Sequence, residues 1–316
     1  MIEGHHFLVL GRVGMDLYPE PVGTKIENAT SMRPTLGGSS GNIAAGLARL
    51  GGKVEMISML SDDPVGRFVR NELRQYGIGS QFIATSSHSS RTTLAFAESV
   101  LEGHEAMLYR NGAADIEIND TLLEVIPLAN YSALIVTGTA LAEEPSATAT
   151  LKFLQRAQQE GVRTILDIDY RAPAWKSITS ASKAFASACE YCDIIIGNDV
   201  EFDVLAGGSG GQDLARKISA NRLIVYKMGG EGSWTYHEGD ALRHGVFSVQ
   251  AIKPVGAGDA FMAGFVSALS NKKSISQSVM EGSANAAIVV SRVGCAPAMA
   301  TRAELDDFLA NHHIGE

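Results

Sequence analysis

Short apolar, β-branched runs alternate with amphipathic stretches along most of this chain. Phe7–Leu10, Val54–Met59, Ala133–Thr137, Arg163–Asp169, Asp193–Gly197 and Leu223–Lys227 have the length and residue types of strands. Between them, Asn42–Leu50, Val65–Tyr76 and Ala147–Glu160 carry apolar residues at helical spacing. Gly51, Gly77 and Gly161 follow these three stretches, at the position where a left-handed residue closes a helix. Strands that alternate with helices need crossover connections. The expected fold is α/β: a doubly wound, mainly parallel sheet with helices on both faces.

Two stretches break the alternation. Residues 13–36 and 91–110 lack helical period, and Thr92–Glu98 and Glu105–Arg110 alternate like paired strands around a Leu101–His104 turn. They form either an edge hairpin of the main sheet or a small separate sheet over its C-terminal edge. The second arrangement makes a lid, because ligands of open α/β sheets bind at that edge. From Gly256 onward, helix follows helix as far as Leu309. No repeat or linker divides the chain, so residues 1–316 are expected to form one domain with lid segments at about 13–36 and 91–110.

Composition narrows the classes of function. Apolar residues make up 45% and charged residues 19%, ordinary for a soluble globular protein. The formal charge is 26 − 35 = −9, which argues against a nucleic-acid or anionic-membrane partner. An anionic small substrate needs only a local basic pocket and stays open. No basic-then-apolar leader and no apolar run near membrane-spanning length is present, so a cytoplasmic location is expected. Cys189 and Cys192 have C-x-x-C spacing, but no second Cys/His pair follows with ligand spacing. Together with Cys295 they are expected to be reduced thiols.

The chemistry concentrates in Lys253-Pro254-Val255-Gly256-Ala257-Gly258-Asp259-Ala260-Phe261, a small-residue turn that opens an apolar helical pattern. Free N–H groups in a helix's first turn attract anions, and small residues let a ligand approach the backbone. A carboxylate beside that anion hole suits a reaction in which a hydroxyl loses its proton while a phosphoryl group rests on the N–H groups. The Gly-rich Leu36-Gly37-Gly38-Ser39-Ser40-Gly41-Asn42 likewise leads into a helix. Taken alone, it reads as a glycine turn with Asn42 as N-cap. Walker A and G-x-G-x-x-G phosphate loops are absent; near Gly51-Gly52-Lys53, Leu47 and Val54 stand where Gly and Ser/Thr are required.

The two glycine-rich segments together resemble the paired signatures of the ribokinase (PfkB) family of sugar kinases, and the resemblance runs over essentially the whole chain. It implies a ribokinase-like α/β/α domain with a β-sheet lid, ATP and Mg²⁺ as co-reactants, and a small sugar-like acceptor. It implies that Asp259 is the catalytic base and that Gly256, Ala257 and Gly258 supply N–H donors to the transferring group. Asn198 and Glu201 resemble an N-x-x-E element that organises Mg²⁺ through water, although a first-turn acid is also favoured by the helix dipole alone. Lys227, Gly229, Gly232 and Asn285 match positions around the nucleotide. Asp16, Gly38 and Asn42 match positions around the sugar. Lys253-Pro254 departs from the frequent Asp-Thr, which puts dependence on K⁺ in doubt, since an ammonium can supply that charge.

Arg110 and Arg171, each at a strand end, are candidates to hold a substrate carboxylate. Tyr109-Arg110…Ala114-Asp115, Asp167-Ile168-Asp169-Tyr170-Arg171…Trp175 and Gly11-Arg12-Val13-Gly14-Met15-Asp16-Leu17-Tyr18 resemble the branch that phosphorylates keto-deoxy sugar acids. An oxo group at C5 is favoured, and one at C2 stays open, as do other sugar and nucleoside acceptors. A sugar-binding regulator is disfavoured because base and anion hole are both present. Homodimerisation through the lid is the expected form of assembly, if there is one.

Overall fold

The computed structural model describes residues 2–86, 89–101 and 103–315. Its strands in chain order are β1 (His6–Leu10), β2 (Gly14–Glu20), β3 (Ser31–Gly37), β4 (Lys53–Leu60), β5 (Gly79–Thr85), β6 (Leu94–Ala97) and β7 (Ala106–Tyr109). They continue with β8 (Ala133–Thr137), β9 (Arg163–Asp167), β10 (Ile194–Asn198), β11 (Leu223–Lys227), β12 (Ser233–His237) and β13 (Asp240–His244). Among the described residues nine of them form one sheet in the order β13-β12-β11-β10-β9-β8-β1-β4-β5. The seven from β11 to β5 run parallel, and β12 and β13 add an antiparallel edge. The expected doubly wound sheet is present.

The β-branched runs become strands because both of their faces are covered. Leu8, Leu10, Leu134, Val136, Leu166, Ile195 and Ile224 belong to one core with the helices Ser146–Gln159 and Ile178–Cys189. Phe7, Val9, Ile135, Ile165, Ile196 and Val225 belong to the other, with the helices Ser39–Arg49, Pro64–Gln75 and Ala257–Ser270. Alternate residues of one strand thus feed opposite layers. The 257–270 helix is buried throughout from Asp259, which is why its sequence is apolar all round. Gly46 lets the 39–49 helix lie against it; a Cβ at Gly46 would fall 2.6 Å from that of Ala263.

The remaining strands form a separate sheet, β3-β2-β6-β7, which settles the choice between lid and edge hairpin in favour of the small separate sheet. β6 and β7 pair antiparallel as expected; Glu102, in the expected Leu101–His104 turn, lies outside the described residues. Sequence order in the main sheet reverses between β1 and β8, so the crevice of an open α/β sheet is expected there, beyond the strand C-termini.

Candidate active site

Five strand ends deliver side chains to that crevice. Arg12 follows β1, Thr139 follows β8, Asp167 closes β9 and is followed by Asp169 and Arg171, Asn198 ends β10, and Lys227 ends β11. Opposite them stands the N-terminus of the 257–270 helix. Gly256, its N-cap, has φ 89°, and an added Cβ would lie 2.8 Å from Cys295 Sγ, so only glycine fits without strain. The turn leaves the N–H groups of Ala257, Gly258 and Asp259 without helical acceptors. Lys227 Nζ lies 3.5 Å from where a Cβ on Gly258 would be, which sets a cation beside those donors.

Two adjoining cavities meet at this helix end. The larger, about 480 Å³, is walled by Asp167, Asn198, Glu201, Lys227, Gly229 and Gly232. The smaller, about 220 Å³, is walled by Arg12, Asp16, Gly38, Ser39, Asn42 and lid residues of β6 and β7. Arg171, Val255, Gly256, Gly258 and Asp259 belong to both. A further hollow of about 450 Å³ beside Arg243, His244 and Met280 touches the larger one through Gly245 and Val246 and contains none of these carboxylates.

Asp259 is therefore a carboxylate at the boundary between two chambers. Burial and the nearby charge of Asp169 push it up to about 6, against the pull of Arg171, the Asn42 hydrogen bond and Arg12. Asn42 Nδ2 donates to Asp259 Oδ2 at 2.8 Å, which fixes the rotamer and leaves the other oxygen free for a ligand. A carboxyl tuned to about 6 is ionised at neutral pH yet basic enough to take a proton in a transition state. Asp16, in the smaller cavity, is also pushed to about 6, first by burial, with Arg12 pulling it down and Asp259 pushing it up.

Asp169 ties the strand ends together. It is a non-glycine residue at φ 36°, buried, with Oδ2 accepting from Ser39 Oγ at 2.6 Å and from Thr139 Oγ1 at 3.4 Å. Its Oδ1 pairs with Arg171 Nη2 at 2.8 Å. Ser39 Oγ in turn accepts from Arg12 Nη2 at 3.2 Å, so both arginines of the smaller cavity are linked to one carboxylate. A backbone conformation costing about 1–3 kcal/mol persists only where its surroundings over-determine it. Here three partners do.

Glu201 makes a capping box with Asn198: its Oε2 accepts from Asn198 N at 2.7 Å, and Asn198 Oδ1 accepts from Glu201 N at 2.9 Å. Both the dipole reading and the cavity-wall reading of Glu201 hold geometrically. Burial pushes Glu201 and Asp167 above the usual carboxylate range, with Lys227 opposing in each case.

Two expected ligand contacts are not on either wall. Arg110 is turned into a buried pair with Asp115, Nε at 2.8 Å and Nη2 at 2.7 Å from the same oxygen. Asn285 is fully buried as a brace, donating to Ala260 O at 2.8 Å and accepting from Ala300 N at 3.3 Å, while Ser283 and Ala286 of its helix reach the larger cavity instead. All the other candidates line one cavity or both. Arg12 and Asp169 are site residues that the sequence held only inside longer quoted segments. Lys253 is completely buried, and its Nζ donates to Val255 O at 2.6 Å, one residue before the Gly256 turn.

The sequence model of the pfkB family carbohydrate kinases matches residues 5–302. A protein of Photobacterium profundum named 5-dehydro-2-deoxygluconokinase is 37% identical over 310 residues, 96% of this chain and 94% of the relative. One with the same name from Geobacillus kaustophilus is 33% identical over 317 residues, 98% and 95% of the two chains. Among solved structures, a fructokinase from Xylella fastidiosa with bound ATP superposes with a TM-score of 0.87 over 97% of this chain and 98% of the other, at 21% identity. That similarity bears on the fold.

Proposed function

The chain belongs to the pfkB family of carbohydrate kinases and is an ATP-dependent sugar kinase, and from this we propose that its acceptor is 5-dehydro-2-deoxy-D-gluconate, phosphorylated on the terminal hydroxyl. The observation that carries the chemistry is Asp259, held between two chambers in the first turn of a helix with free N–H groups. ATP fits the larger chamber, where Lys227 and the Gly256–Gly258 turn offer positive charge and backbone donors to its phosphates. The acceptor fits the smaller, with its primary hydroxyl on Asp259 and its other hydroxyls on Asp16 and Asn42.

Asp259 takes the hydroxyl proton as the oxygen attacks the terminal phosphorus in line, and the N–H groups of Ala257 and Gly258 receive the charge on the transferring group. The lid strands β6 and β7, on the smaller chamber's wall, exclude water that would otherwise compete as acceptor. Mg²⁺ suits the buried carboxylates Asp167 and Glu201 beside Lys227. No cluster of three or more His, Cys, Asp or Glu side chains among the described residues makes a ready metal site, so the ion would be shared with the phosphates and held by Glu201 through water. When bound, it neutralises phosphate charge. Lys253, fully buried beside the turn, supplies a fixed cation there, and K⁺ is not required.

The sugar-acid reading is supported by the name of the full-length relatives and by arginines in the smaller chamber, and it would place the step in myo-inositol breakdown. The lid exposes Met107 and Tyr109 on the edge strand β7, the surface through which a homodimer would form. The test is coupled ADP release with ATP–Mg²⁺ and, in parallel, 5-dehydro-2-deoxygluconate, 2-dehydro-3-deoxygluconate, fructose, ribose and adenosine. Preference for the first acid is expected. Preference for the second would keep the mechanism and move the oxo group; turnover of neutral acceptors alone would refute the acid.

A further inference from the structure

We propose that Arg12 is the residue that receives the substrate's carboxylate and so makes the smaller chamber selective for an acid; the inference rests on the sugar-acid reading above. Arg12 is 6% exposed and lines the smaller chamber. A buried guanidinium is stable only when its charge and its N–H groups are answered. Among the described residues no carboxylate lies within ion-pair distance of it: its one hydrogen bond is Nη2 to the neutral Ser39 Oγ at 3.2 Å, and its Nε is buried with no partner. The other buried arginine nearby in the fold, Arg110, has its carboxylate in Asp115, and Arg171 has Asp169. Asp16 and Asp259 feel its charge from beyond ion-pair distance without filling its fork, and a bound carboxylate supplies the close counter-charge and the second acceptor.

The helix Ser39–Arg49 sets the length of what fits. Its first turn holds Arg12 through Ser39 and holds Asp259 through Asn42, three residues further on. Residues at that spacing share a helix face with Cβ atoms about 5–6 Å apart. One turn of helix thus fixes the carboxylate receptor relative to the base. A short-chain acid with its carboxylate and its primary hydroxyl at opposite ends spans both. Arg171 has a different place: it lines both chambers and its charge pulls on Asp259, so it faces the transferring group rather than the far end of the acceptor.

The experiment compares wild-type enzyme, Arg12→Gln and Arg12→Lys on 5-dehydro-2-deoxygluconate and on its neutral C1 amide, with ATP–Mg²⁺. Wild type is expected to prefer the acid. In Arg12→Gln, KM for the acid should rise at least about 30-fold, the loss typical of truncating one partner of a buried charge pair. Its KM for ATP should stay close to wild type and its loss of kcat/KM on the amide should be much smaller than on the acid, so the preference for the acid collapses. Arg12→Lys, which keeps the charge without the fork, should fall between. An acid preference that survives in Arg12→Gln overturns the proposal, as does an equal loss on acid and amide, which would mean that Arg12 merely positions Ser39 and Asp169. Should Arg12→Gln not fold, Arg12→Lys with a wild-type preference and KM overturns it as well. Wild type that ignores both compounds refutes the sugar-acid reading and Arg12's role with it, whereas the other outcomes strike Arg12 alone.

Discussion

Replacing Asp259 by Asn removes a charge that the fold resists burying, so the variant should lose activity and gain stability together. The carboxyl titrates at about 6 in the folded protein instead of 3.8. The folded state therefore binds the extra proton more tightly than the unfolded state, and the ionised carboxylate destabilises the fold above that range. The linkage integral over a shift of about two units amounts to about 3 kcal/mol at pH 8. At pH 5 it falls to about 1.6 kcal/mol, and below 3.8 it vanishes, because both states are then protonated. Asn is neutral throughout and can still accept from Asn42. With an unfolding entropy near 0.7 kcal/mol/K for 316 residues, the variant should melt about 4 °C higher at pH 8 and about 2 °C higher at pH 5. Turnover should drop about 100- to 10,000-fold, the share of a general base, with acceptor binding largely retained. Coupled ADP release and thermal unfolding at the two pH values measure all of this. A gain in melting temperature that does not depend on pH would refute the buried-charge reasoning; near-normal turnover would refute the base. In wild type, kcat/KM should rise with pH through about 6 as the carboxyl ionises.

Gly256→Ala and Gly258→Ala should behave differently although they are two residues apart. The first forces a side chain into positive φ against Cys295 and should cost roughly 1–3 kcal/mol, read by thermal unfolding. The second meets nothing closer than Lys227 Nζ at 3.5 Å, so the protein should fold as stably as wild type while turnover falls, because the methyl group stands where the phosphoryl group approaches. Rates in K⁺ and in a tetraalkylammonium buffer should coincide, since Lys253 already provides a buried cation; strong activation by K⁺ would contradict that assignment. Arg171→Ala should weaken acceptor use and also lift Asp259 further, because the guanidinium pulls its carboxyl down, so the kcat/KM profile should move to higher pH. A profile that stays in place would separate Arg171 from the base.

What the sequence disclosed follows from how completely each segment is buried. The central strands β1, β4 and β8 to β11 are covered on both faces and therefore appear as mainly apolar runs, broken in β4 by Glu55 and Ser58, and their limits fall within two residues of those read from the pattern. The edge strands β5 and β13, and β12 beside the latter, mix polar and apolar residues, as in Gly79–Thr85 and Asp240–His244, and escaped notice for that reason. Within the site, glycines and acids at fixed spacing were legible because backbone geometry at a helix start leaves few alternatives. Long side chains were not. Arg110 stands at the right strand end but is neutralised by Asp115, five residues later, and Asn285 turns inward to the backbone of Ala260. Spacing gives a residue's position along an element, whereas the partner it finds depends on what the rest of the chain brings nearby. Arg12 shows the converse: nothing local marks it, and its significance is that no carboxylate among the described residues comes within ion-pair distance of it, which only the folded structure can reveal.

The hydrogen bond from Asn42 to Asp259 joins residues 217 positions apart. During vectorial synthesis the lid strands and all seven strands of the parallel sheet emerge before the 257–270 helix that carries the base, and that helix must then enter a layer already occupied by the 39–49 and 64–75 helices. A nascent or truncated chain thus carries Arg12, Asp16 and Asn42 of the acceptor chamber but lacks both its remaining wall and any means of activating a hydroxyl. Catalytic competence appears only when the last fifth of the chain has docked, so an activity measurement on this protein also counts the molecules that have finished folding.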